Sequence, residues 1–156
     1  MNARNRNGRK SGFTLVEILI VVIILGILAA IVIPQFTNAS TSARANSTFA
    51  QLQTLRSQIQ LYKLQHNDTL PDLVTNQWTQ ILGTTNVSGA VDTTAAGIYG
   101  PYLQTTPKNP LNGNSAVDST ASGATIGWVY ILSTGSIQAT NQTPTLIFDE
   151  STGTVQ

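Results

Sequence analysis

The sequence predicts an α+β fold: one long N-terminal α-helix, membrane-spanning in its first half and amphipathic in its second, packed on a small antiparallel β-sheet. Three observations carry that expectation. An apolar run broken by a single acid lies close to the N-terminus, an apolar repeat at steps of three and four follows it, and two strand-like segments flank a glycine-bearing turn near the C-terminus.

The apolar run is Gly12 to Phe36, GFTLVEILIVVIILGILAAIVIPQF. Its 21 residues from Phe13 to Ile33 rise about 31 Å as a helix and match a hydrocarbon core of about 30 Å. The flank before it, MNARNRNGRKSG, carries Arg4, Arg6, Arg9 and Lys10 and no acid. The positive-inside rule therefore keeps the N-terminus cytoplasmic and sends the remainder outward. The expected organisation is a basic leader (1–12), a transmembrane helix (13–36), its amphipathic continuation (37–66) and an exported α+β region (67–156).

Glu17 decides what kind of segment this is. A cleaved secretory signal wants small residues at a site of A-x-A type, but Leu28 precedes Ala29 and Ala30, and Ile27 precedes Leu28 and Ala29. A plain anchor has no use for a carboxylate, which costs on the order of 2–3 kcal/mol near the centre of a span and less near its end, and which usually marks function. An acid that merely reaches back to the headgroups is the bland alternative.

Lys10-Ser11-Gly12-Phe13-Thr14-Leu15-Val16-Glu17 followed by an apolar run resembles the class III signal of type IV prepilins and type II secretion pseudopilins. The resemblance covers about the first third of the chain. It implies that a prepilin peptidase cuts between Gly12 and Phe13, that Phe13 becomes an N-methylated terminus, and that Glu17 is the fifth mature residue. It also implies the partners: further copies of the chain in a helical filament, the peptidase, an inner-membrane assembly platform with minor pilins, and the lipid bilayer before assembly.

Elementary electrostatics gives the arrangement a reason of its own. Cutting after Gly12 frees an α-amino group, ordinarily of pKa about 7.7–8.0, one helical turn from Glu17. A carboxylate near a helix N-terminus is favoured by the helix dipole, and unit charges 4 Å apart attract by about 4 kcal/mol at an effective dielectric near 20. The pairing can be internal or between subunits; the resemblance implies the second, with the acid of one subunit meeting the terminus of its neighbour.

Charge and composition exclude other classes. The formal charge is +1, but removing residues 1–12 takes away four cations and leaves four basic against seven acidic residues, or −3. No nucleic-acid partner is expected, since the leader holds the basic cluster. There is no cysteine, so neither a disulfide nor a thiolate metal site contributes. In the resembled family this favours the secretion branch, because many type IV major pilins close a loop with a disulfide.

Along the chain, Pro34 removes a backbone donor and is expected to kink the helix near Ala30, with Gly26 weakening it further. Phe49, Leu52, Leu55, Ile59 and Tyr62 then form an apolar stripe as far as about Gln65. It is expected to pack on the protein's own sheet rather than form a coiled-coil seam. The helix is expected to be single and bent. Asn67 to Asp72 ends it with turn chemistry; Leu73 to Leu82 is a short second helix closed by Gly83, and residues 84–100 an irregular surface loop.

Gly100-Pro101-Tyr102-Leu103 and Pro107-Lys108-Asn109-Pro110-Leu111-Asn112-Gly113 resemble the connecting loop of major pseudopilins, with Asn109 where that pattern has an acid and Leu111 where an aromatic is usual. Members of that family often bind calcium through acids further on. Calcium wants six to eight oxygens, and the acids between Asn109 and Glu150 are Asp118, Asp149 and Glu150, so no metal site is predicted.

Gly127–Leu132 and Ile137–Thr140 flank Ser133-Thr134-Gly135-Ser136 as a hairpin. Trp128 and Tyr130 fall on one face and Val129 and Ile131 on the other. Thr145–Phe148 is a third strand and Ser151–Gly153 a last turn. His66, the sole histidine, stands at a helix end among polar residues, and no catalytic constellation, phosphate loop or cofactor motif is found. The expected function is that of a processed filament subunit, the pseudopilus of a type II secretion system. The alternatives are a type IV pilus subunit and, from another class, a membrane-anchored binding protein that needs no cleavage after Gly12.

Overall fold

The computed structural model describes residues 12–92, 98–121, 123, 125–141, 148–149 and 154–155. Two compact units result, Met1–Ser40 and Thr41–Gln156. A single helix, α1, covers Leu15–Gln65, 51 residues with Pro34 inside.

In the first unit every described residue is exposed. Its part of α1 is long and apolar enough to cross a membrane. Ile18 to Ile33 is free of charged and polar side chains, and nothing among the described residues of the unit covers it.

The second unit is built on the remainder of α1. Ala45, Thr48, Leu52, Leu55, Ile59 and Tyr62 are buried, and His66 continues the series at 1% exposure. Alternating steps of three and four keep these positions on one side of the helix. Phe49 does not belong to the stripe, contrary to expectation: it is 45% exposed, because it stands about 100° round the helix from Thr48. Thr48 takes the inward place and satisfies its hydroxyl on Arg44 O at 2.9 Å.

His66 is also a correction. Its ring lies in the core, with Nδ1 2.8 Å from Tyr62 O and Nε2 2.9 Å from Thr85 Oγ1. It stacks on Tyr62 at 3.8 Å and meets Tyr99 edge-on. Beyond it the helix closes as the Asn-Asp sequence predicts: Asn67 and Asp68 take φ of 51° and 65°, and Asp68 N–H donates to Lys63 O at 3.0 Å. Thr85, within the expected surface loop, is fully buried and bridges to both Val91 and Tyr99.

The expected helix over 73–82 is two single turns, α2 (Leu73–Asn76) and α3 (Thr79–Leu82). The break is at Gln77, whose φ of 50° costs a non-glycine residue roughly 1–3 kcal/mol. Its amide offsets that cost. Oε1 accepts from Val117 N at 2.8 Å, while Nε2 donates to Val117 O at 2.9 Å and Val74 O at 3.0 Å. Trp78 Nε1 donates to Ser115 O at 2.6 Å. Gly83 closes α3 as expected, its N–H on Thr79 O at 2.9 Å.

Three strands, β1 (Ala116–Asp118), β2 (Ile126–Ile131) and β3 (Ser136–Ala139), form a sheet in the order β1-β2-β3. β2 and β3 make the predicted hairpin, with Trp128 opposite Ala139 and Ile131 opposite Ser136. β1, however, runs parallel to β2, so the sheet is mixed rather than wholly antiparallel. Two asparagines account for this. Asn109 Nδ2 donates to Gly127 O at 2.8 Å and Thr140 O at 2.6 Å, and Asn112 Nδ2 to Ile126 O at 3.0 Å. The residues leading into β1 are thereby tied to the first residues of β2, and both strands leave from the same end. Gly127 permits the approach, since a Cβ there would collide with Asn114 O.

Trp128 and Tyr130 face the core at 0% exposure. Here they join Leu52, Leu55, Ile59 and Tyr62 of α1 with Leu73, Trp78, Ile81 and Ile137. On the other face Val129 is buried and Ile131 exposed. Arg56 Nη2 ties α1 to β3 through Ile137 O at 3.0 Å. Of the expected third strand, Thr145–Ile147 lie outside the described residues, as does the turn Ser151–Gly153. Phe148 stands in β4 (Phe148–Asp149), which pairs antiparallel with β5 (Thr154–Val155) and not with the three-stranded sheet.

Asn109 fixes why an acid would fail at that position. Its Oδ1 accepts Leu111 N–H at 2.9 Å and its Nδ2 serves two carbonyls, and the residue itself is 0% exposed. Asn109→Asp should lower stability by about 3 kcal/mol or more in urea unfolding. The loss should shrink at acid pH, where a protonated carboxyl donates one of the bonds.

Burial pushes the phenols of Tyr62 and Tyr130 up to about 12 from 10.0. Both are raised above their unfolded value, so their contribution is whole below pH ~10 and is lost as pH rises towards ~12. Alkaline unfolding in that window should coincide with phenolate absorbance. Tyr130→Phe, which removes a hydroxyl without a partner among the described residues, should shift the transition upward.

Candidate processing and assembly site

Gly12, Phe13 and Thr14 are non-helical and exposed, Phe13 at 80%. Thr14 stops the helix just short of them. Glu17 N–H donates to Thr14 Oγ1 at 3.2 Å, while Thr14 N–H and Oγ1–H donate to Glu17 Oε2 at 3.3 Å each. This is a reciprocal capping box, with threonine at the N-cap and glutamate three residues on. It satisfies two groups that a helix start leaves open, and it sets the carboxylate against the positive end of the helix dipole.

The structure thus brings Glu17 together with Thr14 beside Gly12 and Phe13. Reading Glu17 as an isolated anion missed this, although the Thr-x-x-Glu spacing was its signal. Arg4, Arg6, Arg9 and Lys10 lie outside the described residues. Pro34 is exposed within α1, and having no N–H it leaves Ala30 O without its usual partner. Three residues on, Thr37 Oγ1 donates back to Ile33 O at 3.3 Å.

A capped helix start, one acid and a long apolar face exposed on all sides define a class of N-terminal segment. Residues 7–33 match the family model of the prokaryotic N-terminal methylation motif.

Among individual proteins, the chain is similar to type II secretion system core protein G of Pseudomonas aeruginosa, 41% identical over 56 residues, which cover 36% of this chain and 39% of that protein. It is similar also to the core protein G of Aeromonas hydrophila (37% over 59 residues, 38% of this chain and 41% of the relative). A third is that of Pectobacterium carotovorum (36% over 67 residues, 42% and 43%). The matched stretch spans about two fifths of the length of these relatives. No solved structure matches the chain.

Thr14→Ala should remove the cap at a cost of about 1 kcal/mol. Amide exchange in detergent micelles should then quicken over the first turn of α1, and leave residues 52–62 unchanged.

Proposed function

We propose that this chain is a structural subunit of a pilus-like filament, the pseudopilus of a type II secretion system. It is inserted in the cytoplasmic membrane with residues 1–12 inside. A prepilin peptidase cuts it between Gly12 and Phe13 and methylates the new Phe13 amino group. The chain is a substrate in that reaction and has no catalytic role of its own. Its partners are other copies of itself, the peptidase, and the membrane platform and minor pilins on which the filament grows.

The observation that carries this reading is the exposed Gly12–Phe13–Thr14 segment in front of a capped helix whose aliphatic residues are uncovered among the described residues of the first unit. Such a surface needs lipid or like helices around it. Cleavage removes Arg4, Arg6, Arg9 and Lys10, which hold the N-terminus at the cytoplasmic face, and creates an ammonium group within reach of Glu17. The capping box supports this step, because it holds the carboxylate at the helix start before the cation exists. Attraction of about 4 kcal/mol at 4 Å and an effective dielectric near 20 then favours extraction from lipid and sets the register against a neighbouring subunit. Pro34 loosens the helix where subunits pack.

Intact-mass measurement of the chain from its native membrane should give a polypeptide starting at methylated Phe13. Retention of residues 1–12 would instead mark a permanent anchor. Glu17→Ala should be processed yet fail to form filaments in shearing and cross-linking assays; assembly equal to wild type would remove Glu17 from the mechanism.

A further inference from the structure

The loop from Pro107 to Asn114 contains the pair Asn112–Gly113. Asparagine before glycine is the pair in which a side-chain amide is most open to attack by the next backbone nitrogen, because glycine offers no side chain to hinder ring closure. In the folded chain both reacting groups are engaged. Gly113 N–H donates to Asn109 O at 2.7 Å. Asn112 Oδ1 accepts Asn114 N–H at 3.0 Å. Its Nδ2 faces Thr140 Oγ1 at 2.8 Å, Ile126 O at 3.0 Å and Asn141 O at 3.3 Å. Thr140 Oγ1–H is directed at Ile126 O, 2.6 Å away, so towards Asn112 this hydroxyl acts as an acceptor. Gly113 is exposed, and water is at hand.

We propose that Asn112 is a self-modification site, barred by the fold and released when the loop opens. Freed from Asn109 O, the Gly113 nitrogen attacks Asn112 Cγ and gives up its proton. The Cγ–Nδ2 bond breaks and ammonia leaves with that proton. Water then opens the five-membered imide at one carbonyl or the other, leaving aspartate or isoaspartate. Water is the sole co-reactant and no electrons change hands.

The product does not fit back. Two N–H donors shared among three oxygens give way to a carboxylate, which has no hydrogen for the carbonyls of Ile126 and Asn141 and sets a negative charge beside them. These bonds tie the approach to β1 onto β2, so a modified chain is held out of the parallel pairing. The loop therefore acts as a ratchet that records loss of this seam.

The test uses the full uncleaved chain in detergent micelles at mildly alkaline pH, with and without urea, read by peptide mass mapping. Asn7–Gly8, the other such pair in the sequence, is the internal reference. In urea the two pairs should convert at comparable rates, and without urea Asn112 should convert at least about tenfold more slowly than in urea. Equal Asn112 rates in the two conditions overturn the proposal. Thr140→Val, which removes an acceptor for Asn112, should speed conversion without urea; an unchanged rate means the bonds do not protect. Asn112→Asp should unfold at lower urea than wild type or fail to fold, and a midpoint equal to wild type overturns the ratchet.

Discussion

Backbone polar groups exposed at the ends and edge of a very short sheet must find partners, and in the second unit neutral amide side chains supply them. β1 has three residues, too few to hold its place by strand pairing alone. Gln77 closes its outer edge, Asn109 and Asn112 fasten its approach to β2, and Gln80 joins Asp72 N–H to Gly89 O at 2.7 Å each. An amide can give and accept at once, which neither a carboxylate nor a lysine can do. That property decides the direction of β1, the break between α2 and α3, and the burial of a polar residue at 109.

The same logic governs the start of α1 by other means. A hydroxyl and a carboxylate cap each other across one turn, so the helix begins at a fixed residue and the preceding three remain outside it. At this end the bonds join residues three apart, whereas in the second unit the bonds from side-chain amides to β1 and β2 join residues 14 to 40 apart. A single residue, Glu17, serves as helix cap, as dipole partner and, in the proposed function, as the group that meets the mature terminus.

What was legible in the sequence had a period or a turn residue to announce it. The apolar run, the stripe through Leu52, Leu55, Ile59 and Tyr62, the Asn67–Asp68 stop and the β2–β3 hairpin all repeat or punctuate at fixed spacings. The errors share a cause as well. Hydrophobicity alone puts Phe49 inward, yet the phase of the stripe belongs to Ala45, Thr48 and His66, small or polar residues of which His66 needs a partner as distant as Thr85. The parallel β1 and the split at Gln77 rest on hydrogen bonds spanning 14 and 40 residues, which no local pattern carries. At the candidate site the Thr-x-x-Glu spacing is itself the signal of a cap, which the acid's charge alone does not convey.

Ties made by uncharged amides have a consequence for the medium in which this unit can work. Added salt screens attraction between ions and leaves dipolar contacts inside a packed interior almost untouched. The ion pair Lys63–Asp68 sits at the surface, its aspartate side chain 84% exposed, where such pairs contribute little. The hydrogen bonds around Asn109, Asn112 and Gln77 join uncharged groups, so these seams do not depend on an attraction that added salt would screen.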